Sequence, residues 1–403
     1  MQRYKKYQKL FKHWHLFCVF DNRILNKSPK ETSAKLRQKS LLISVIFCTV
    51  ESMIREKSSQ LSFCDFQLQK RKVKSEFFKQ INAVIDWHPL RALTEPCLCK
   101  GFSSTGRTCY DCMVLFRMEL MRTWYGLSDG KIEEQVNDRL SFSRFAGLGM
   151  DESVPDSTTL CHFRNTLVKS GIYDSLLSEI NRKLASRHVI VNTGVTVDAS
   201  VTDSPRRPRE QKEYEVVEDR HEDEVSDTAN ARLMEKPRPG VDTEAHWVKK
   251  AGKCRFGYKR HTVVNQDGFV IAEETTAANE SDMKHLATPL EKAGLKQGTP
   301  VMTDKGYDSS ENRKVLSIMK LKSRIMYKSQ KNRRLTERER AVNKAVSKVR
   351  YAVERTYGSM HKWFRAGISR YVGLAKTHAQ HIMEEIAYNL YKTPGIIVSN
   401  CIK

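Results

Sequence analysis

Three carboxylates in this sequence stand where they could act on one substrate together. Asp198 follows the strand-like residues 195–197 and Asp304 follows the strand-like residues 301–303, so each ends a predicted strand. Glu354 lies in a long segment with the periodicity of a helix. Taken singly, an acid at a strand end is commonly a cap and a helical acid is commonly solvated, so the interpretation depends on all three.

The helix predicted for residues 336–364 carries Glu354 beside an apolar stripe. If that stripe packs on a sheet, the helix could bring Glu354 to the strand ends. The stripe consists of Val342, Val346, Val349, Val353 and Met360. The residues that share a face with Glu354, at spacings of three and four, are Ser347, Arg350, Gly358 and His361.

Clustered carboxylates suggest a metal site. Negative charges repel one another unless a cation neutralises them, and Mg²⁺ prefers oxygen ligands while leaving positions for water and phosphate. Two such ions about 4 Å apart can activate an attacking oxygen and stabilise a leaving oxygen at a phosphodiester. We therefore predict that Asp198, Asp304 and Glu354 bind Mg²⁺, with Mn²⁺ as an alternative.

The charge distribution favours a polyanionic partner. The 403-residue chain has a formal net charge of +23. Residues 1–75 hold 17 Lys/Arg against 5 Asp/Glu, and residues 320–376 hold 17 against 3, so the remainder is slightly acidic. Two basic regions around a near-neutral body indicate a nucleic-acid partner, and an anionic membrane surface is the weaker alternative.

The ten cysteines and the absence of a signal peptide predict a cytoplasmic protein with reduced thiols. The apolar segment 41–50 is about half as long as a membrane span, so no membrane association is expected. Four cysteines form a CxC and a CxxC pair: Cys97, Cys99, Cys109 and Cys112. They could bind zinc, but the spacing is unusual and free cysteines in a loop are the favoured interpretation.

The periodicity predicts three segments. Residues 1–58 form a basic, atypical extension, residues 59–188 a helical domain, and residues 189–395 an α/β domain with a polar excursion at 203–250. In the last segment three strands precede alternating helices and strands, which predicts a mixed sheet flanked by helices. The first strand is expected to end at Asp198.

The helical domain could contact DNA. Its short helices and tight turns resemble a helix-turn-helix reader, in which His162, Arg164 and Asn165 would face the groove. A helical bundle that only packs on the next domain is the alternative.

Several ordered motifs resemble bacterial insertion-sequence transposases of the DDE class, in the insertion-sequence-five group. In the catalytic part these are DAS (198–200), FGYKRH (256–261), ETTAANESD (274–282), TDKGYDSSENR (303–313) and KVRYAVERTYG (348–358). The segments WYGLSDGKIEEQVNDRLSFSRFAGL (124–148) and PDSTTLCHFRNTL (155–167) are similar to that group's helical domain. The resemblance covers about residues 60–392.

The resemblance implies a ribonuclease-H-like core in which Asp198, Asp304 and Glu354 match the catalytic triad. It implies Mg²⁺-dependent cleavage of double-stranded DNA at the terminal inverted repeats, followed by attack of the 3′-hydroxyl on target DNA. It also implies a nucleoid-associated protein that is at least a dimer on paired ends.

The group's signature around the glutamate is Tyr-x2-Arg-x3-Glu-x6-Lys. Arg350 and Glu354 match it, whereas Ser347 and His361 occupy the Tyr and Lys positions. The phosphate contacts predicted for the catalytic domain are Lys305, Arg313, Arg350, His361 and Lys362. Since His361 replaces a lysine, a catalytically impaired DNA-binding protein is the main alternative to an active transposase, and a nuclease without strand transfer is another.

Overall fold

The computed structural model describes residues 76–98, 110–149, 151–208, 214–218, 231–235, 240–250, 252–329 and 333–401. All of them belong to one compact unit, Cys64–Lys403. The predicted basic extension 1–58 lies outside the described residues. None of the helices in the described ranges is long and apolar enough to cross a membrane.

Seven helices precede the sheet in the described part of the chain, where the periodicity predicts a mostly helical segment. They are α1 (Glu76–Val84), α2 (His88–Leu98), α3 (Cys112–Tyr125), α4 (Asp129–Asp138), α5 (Leu140–Ala146), α6 (Ser157–Ser170) and α7 (Tyr173–Ser186). Ser128 and Asp156 accept hydrogen bonds from the first turns of α4 and α6, and Gly171 ends α6 with a φ of 65°. These are ordinary caps, which satisfy amide groups that have no partner within the helix. Helix α3 is buried on nearly all sides, as its apolar sequence predicts.

Eight strands follow among the described residues of the second half. They are β1 (Val195–Asp203), β2 (Tyr214–Glu218), β3 (Ala231–Glu235), β4 (His246–Lys250), β5 (Lys253–Asn265), β6 (Val270–Ala277), β7 (Pro300–Thr303) and β8 (Lys322–Ile325). Strands β2 and β3 pair only with each other. In the main sheet β5 pairs with β4, β6 and β1, and β1 then pairs with β7 and β7 with β8. The predicted excursion 203–250 therefore contains three strands, including an edge strand of the main sheet.

The main sheet is mixed. Strands β1, β5 and β6 are antiparallel to one another, whereas β7 and β8 continue from β1 in parallel. The order β6-β5-β1-β7-β8 is that of the ribonuclease-H fold, so the predicted fold class is confirmed. The predicted hairpin between β5 and β6 is also confirmed.

The first strand does not end at Asp198. Its parallel partner β7 stops opposite Val197, but its antiparallel partner β5 continues to pair with it as far as Asp203. The strand therefore runs five residues beyond the predicted end. Asp198 lies where β1 loses its parallel neighbour rather than where β1 stops.

Four further helices lie between and after the strands in the described ranges. They are α8 (Ala287–Ala293), α9 (Ser310–Ile318), α10 (Glu337–Phe364) and α11 (Leu374–Cys401). Thr336 and Glu339 form a capping box that starts α10, which packs on β1 and β7. Helix α11 packs on β6 and also on α3 and α7, so it joins the helical region to the sheet.

Candidate active site

The register of two parallel strands brings the first two acids together. Val197 on β1 pairs with Thr303 on β7, so Asp198 and Asp304 follow at the same level of the sheet. Each carboxylate is oriented by the next backbone amide. The N–H of Ala199 donates to Asp198 Oδ1 at 2.9 Å, and the N–H of Lys305 donates to Asp304 Oδ1 at 2.6 Å.

Arg350 on α10 connects the three acids. Its Nη2 lies 3.1 Å from Asp198 Oδ2, and its Nη1 lies 3.3 Å from Asp304 Oδ1. Nη2 is also 3.8 Å from Glu354 Oε1, one helical turn along α10. Three carboxylates that are 106 and 50 positions apart in the chain thus converge on one guanidinium. The predicted set Asp198, Asp304 and Glu354 is brought together by the fold.

The three acids differ in exposure. The side chain of Asp198 is 18% exposed and that of Glu354 is 62% exposed, so the cluster opens to solvent on the Glu354 side. Burial raises the pKa of Asp198, and the Arg350 charge limits that rise. Burial alone would lower the pKa of Arg350, but Asp198 and Asp304 outweigh it and raise that pKa. The guanidinium is therefore held charged between the acids.

The donor set suits a hard divalent cation. Three carboxylates supply oxygen ligands of the type that Mg²⁺ and Mn²⁺ take in proteins. Within the described ranges, however, no three His, Cys, Asp or Glu side chains already surround one ion position. Arg350 occupies the centre of the cluster and supplies the positive charge there. The residues fit such an ion by their chemistry, with the guanidinium as the present counter-charge.

Two tyrosines beside the acids were not predicted. Tyr357 on α10 donates its hydroxyl to the carbonyl of Asp198 at 2.8 Å, which ties α10 to β1 directly. Tyr307, three residues beyond Asp304, is buried, and its hydroxyl lies 3.4 Å from Nδ1 of His261. A signal for Tyr357 existed in the sequence, because it follows Glu354 by three positions and Val353 by four on the same helix.

The predicted phosphate contacts of the catalytic region differ in accessibility. Lys305 and Lys362 are exposed. Arg313 is engaged with Asp308 at 2.8 Å and lies over the ring of Tyr327, and Arg350 is engaged with the acids. Their roles in DNA binding remain predictions.

His361 packs away from the acids. Its imidazole lies so close to Gly367 that a Cβ at that glycine would be 2.5 Å from Nδ1. Although the residue as a whole is exposed, desolvation of its ring and the nearby charge of Arg260 lower the pKa of His361, which favours the neutral ring at pH 7. A neutral ring in this place differs from the lysine of the signature in both charge and reach.

Arg164 is not a groove-facing residue, and this prediction is corrected. It is 6% exposed and its Nη2 lies 2.7 Å from Glu119 Oε1 and 2.8 Å from Asp129 Oδ1. The likeness to a helix-turn-helix reader predicted a groove-facing Arg164, but its side chain turns inward to two acids on α3 and α4. His162 on the same helix is exposed and Asn165 is half-buried, and their contact with DNA remains a prediction.

The zinc hypothesis stays a prediction, because Cys99 and Cys109 lie outside the described residues. Of the other two, Cys97 is half-buried and Cys112 is buried, and both are free thiols. Burial raises the pKa of Cys112 to about 11, which disfavours the thiolate that zinc requires.

The strand order, with Asp198 and Asp304 at the same level of two adjacent parallel strands, defines a ribonuclease-H-like protein. Comparison with known families then gives a narrower result. Residues 187–390 match the family described as "Transposase DDE domain", and residues 66–166 match "Transposase domain (DUF772)". The chain therefore belongs to the Transposase DDE domain family.

A curated relative supports the same family. The transposase for insertion sequence element IS1106 of Neisseria meningitidis serogroup B is 35% identical over 232 residues, which is 57% of this chain and 76% of the relative. The chain is thus an insertion-sequence transposase of the DDE type. The narrower insertion-sequence-five group remains a prediction.

Solved structures of transposases show only distant likeness. A piggyBac transposase synaptic complex with hairpin DNA matches with a TM-score of 0.39 and 10% identity, over 81% of this chain and 74% of that chain. The Mos1 mariner paired end complex with Mn matches with a TM-score of 0.19 and 11% identity, over 93% of this chain and 98% of that chain.

Proposed function

We propose that this chain binds the terminal inverted repeats of its insertion sequence and catalyses metal-dependent DNA cleavage and strand transfer. The observation that carries the proposal is the convergence of Asp198, Asp304 and Glu354 on Arg350, at 3.1, 3.3 and 3.8 Å. Acids placed for turns or solvation alone would not share one guanidinium across three separate elements.

Asp198, Asp304 and Glu354 would hold Mg²⁺ or Mn²⁺. When bound, the metal supplies activation of the attacking oxygen and stabilisation of the leaving oxygen at a phosphodiester. The backbone amides of Ala199 and Lys305 hold Asp198 and Asp304 in fixed orientations. Glu354 can reach bound DNA, because it is the exposed member of the set.

The exposed face of α10 supports DNA as the substrate. Lys344, Lys348 and Arg355 are exposed on it, and their spacings of four and seven place them along one side of the helix. Tyr351 lies between them with its side chain 62% exposed, and Arg355 covers its ring at 5.4 Å. Phosphate binding by such cations and stacking by such an aromatic are common means of holding DNA. Binding of paired ends would require at least two copies of the chain.

A DNA-binding protein that does not cut is the second candidate. The observation in its favour is His361, which occupies the lysine position of the group's signature. Its ring packs on Gly367, and its lowered pKa favours the neutral form. Such a protein would occupy the ends without cleaving them.

The deciding experiment compares Asp304→Asn with wild type on double-stranded DNA that carries the sequences flanking the reading frame. We expect Mg²⁺-dependent nicking to fall about 1,000-fold or more while end binding persists, because the variant loses a ligand charge but no DNA contact. Glu311→Gln, an exposed acid on the following helix, is the matched control and should nick at the wild-type rate.

Two results would overturn parts of this proposal. Unchanged nicking by Asp304→Asn would remove Asp304 from the metal site. Tight binding by wild type without any nicking in Mg²⁺ or Mn²⁺ would favour the non-cutting protein.

A further inference from the structure

Strand β4 and the start of β5 form a basic hairpin that reaches the candidate active site. Its paired residues include Lys250 opposite Lys253 and Val248 opposite Arg255. Residues opposite one another in an antiparallel pair project on the same side of the sheet. Lys250, Lys253 and Arg255 therefore share one face of this hairpin.

That face lies against the part of β1 beyond Asp198. Arg255 donates to both carboxylate oxygens of Asp203, at 2.7 and 2.9 Å, and to the carbonyl of Val201 at 3.1 Å. Lys250 donates from Nζ to the carbonyl of Ala199 at 3.0 Å. Because Ala199 follows Asp198 directly, this contact fixes the ammonium of Lys250 beside the first acid of the site.

Lys250 has binding capacity left over. Its residue is exposed, and among the described residues it makes no ion pair, its one hydrogen bond being to a neutral carbonyl. An ammonium has three N–H donors, so two of them remain for another acceptor. Two arginines nearby are already engaged, since Arg255 pairs with Asp203 and Arg350 with the acids.

We propose that Lys250 binds a phosphate of the DNA strand held at Asp198 and thereby supplies the cation that the signature places at position 361. This inference rests on the proposed function. The carbonyl of Ala199 pre-orients the ammonium, so little conformational freedom is lost when phosphate binds. The two remaining N–H groups of Lys250 have no charged acceptor among the described residues, and a phosphate oxygen would provide one. Burial raises the pKa of Asp198, and the charge of Lys250 joins that of Arg350 in opposing the rise.

The test uses three substitutions of Lys250 in the full chain, on the same end DNA with Mg²⁺. Lys250→Met removes both charge and donor. Lys250→Gln keeps an amide donor for Ala199 but has no charge, and Lys250→Arg keeps both. We expect the Met and Gln variants to cleave about 10- to 100-fold more slowly than wild type and the Arg variant to retain most activity. Lys296→Met, at an exposed lysine before the opposite end of β7, is the control and should match wild type.

A binding measurement gives an independent readout. Loss of one phosphate contact should reduce the slope of log K against log salt concentration by about 0.9 in the Met and Gln variants. Wild-type rates and slopes in both variants would overturn the inference. A wild-type cleavage rate and a wild-type salt slope in Lys250→Gln alone would also overturn the inference, because Lys250 would then serve only to hold the carbonyl of Ala199.

The same design separates this inference from the proposed function. If wild type and Lys296→Met bind DNA without cutting it, the proposed cleavage fails. The salt slopes of the Lys250 variants then still decide whether Lys250 binds phosphate.

Discussion

The guanidinium of Arg350 lies 3.1 Å from the carboxylate of Asp198, although the two residues are 152 positions apart. The same guanidinium contacts Asp304 and approaches Glu354. Carboxylates that lie this close repel one another, and a buried carboxylate loses the solvation that stabilises its charge. Arg350 therefore supplies the positive charge on which the three acids converge in this structure.

Replacement of Arg350 should destabilise the protein in a metal-dependent way. In a chelator, Arg350→Ala leaves the acids without their counter-charge, and we expect a loss of about 1–2 kcal/mol in the free energy of unfolding. Millimolar Mg²⁺ should recover much of that loss, because the metal neutralises the same charges. Thermal unfolding with and without Mg²⁺ measures both effects.

Arg355→Ala is the matched control on the same helix. Arg355 is exposed and contacts the ring of Tyr351 rather than a carboxylate. The stability of Arg355→Ala should respond to Mg²⁺ no more than the stability of wild type does. If Arg350→Ala shows the same small response as this control, Arg350 does not hold the acids together.

Arg164 should prove to be a residue of stability rather than of DNA recognition. Its ion pair with Glu119 is buried and its ion pair with Asp129 is partly buried, and Glu119 also accepts from Arg122 at 2.9 Å. Arg164→Ala leaves Glu119 short of a counter-charge and should cost about 3 kcal/mol. Chemical denaturation measures the loss.

His162→Ala, at an exposed position of the same helix, should leave stability unchanged and weaken DNA binding if the helix contacts DNA. A stable Arg164→Ala variant with weakened DNA binding would restore the original prediction.

A buried acid on α11 should make stability depend on pH. Burial and the charge of Glu273 raise the pKa of Glu385 well above its usual range. The folded protein thus keeps a proton that the unfolded chain releases near pH 4.3. Stability is full below that pH and falls as pH rises towards the folded pKa. Glu385→Gln has no carboxyl group to ionise, so its stability should not fall in this way. The free energy of unfolding of the variant should therefore rise relative to that of wild type by about 1 kcal/mol or more between pH 5 and pH 8, as measured by chemical denaturation.

Glu273→Gln tests the same cluster in the opposite direction. Although burial raises it, the charges of His381 and Arg260 hold the pKa of Glu273 well below its usual range. Glu273 also lies 3.0 Å from His381 Nδ1. Its neutralisation should cost about 3 kcal/mol at pH 7, measured by thermal unfolding. Equal melting curves for the Glu385 and Glu273 variants across pH would contradict the assignment of the proton to Glu385.

Much of the fold could be predicted because it depends on local patterns. The capping residues Ser128, Asp156 and Thr336 lie within three positions of the amides they bind. An apolar stripe at helical spacing predicts helix α10, and a four-residue turn signal at 265–268 predicts the β5–β6 hairpin. Such features need only neighbours in the chain, so a single sequence contains them.

The errors came from partners that lie far away in the chain. Strand β1 runs past Asp198 because β5 pairs with it there, and strand β4 was missed because its polar sequence HWVKK has no core-forming period. Arg164 appeared to be a surface residue because its acidic partners Glu119 and Asp129 are 45 and 35 positions away.

The sequence by itself determined most of the helices, the strands β5 to β8, the basic segments, the family and the three acids that we propose as its catalytic residues. Only the tertiary structure decided how those acids are held, since the Arg350 contacts, the Tyr357 bond to Asp198 and the position of Lys250 depend on which surfaces meet. Charged side chains are long and can turn to several partners. Distance and burial in the folded chain decide which partner each charged side chain contacts, and local periodicity contains neither quantity.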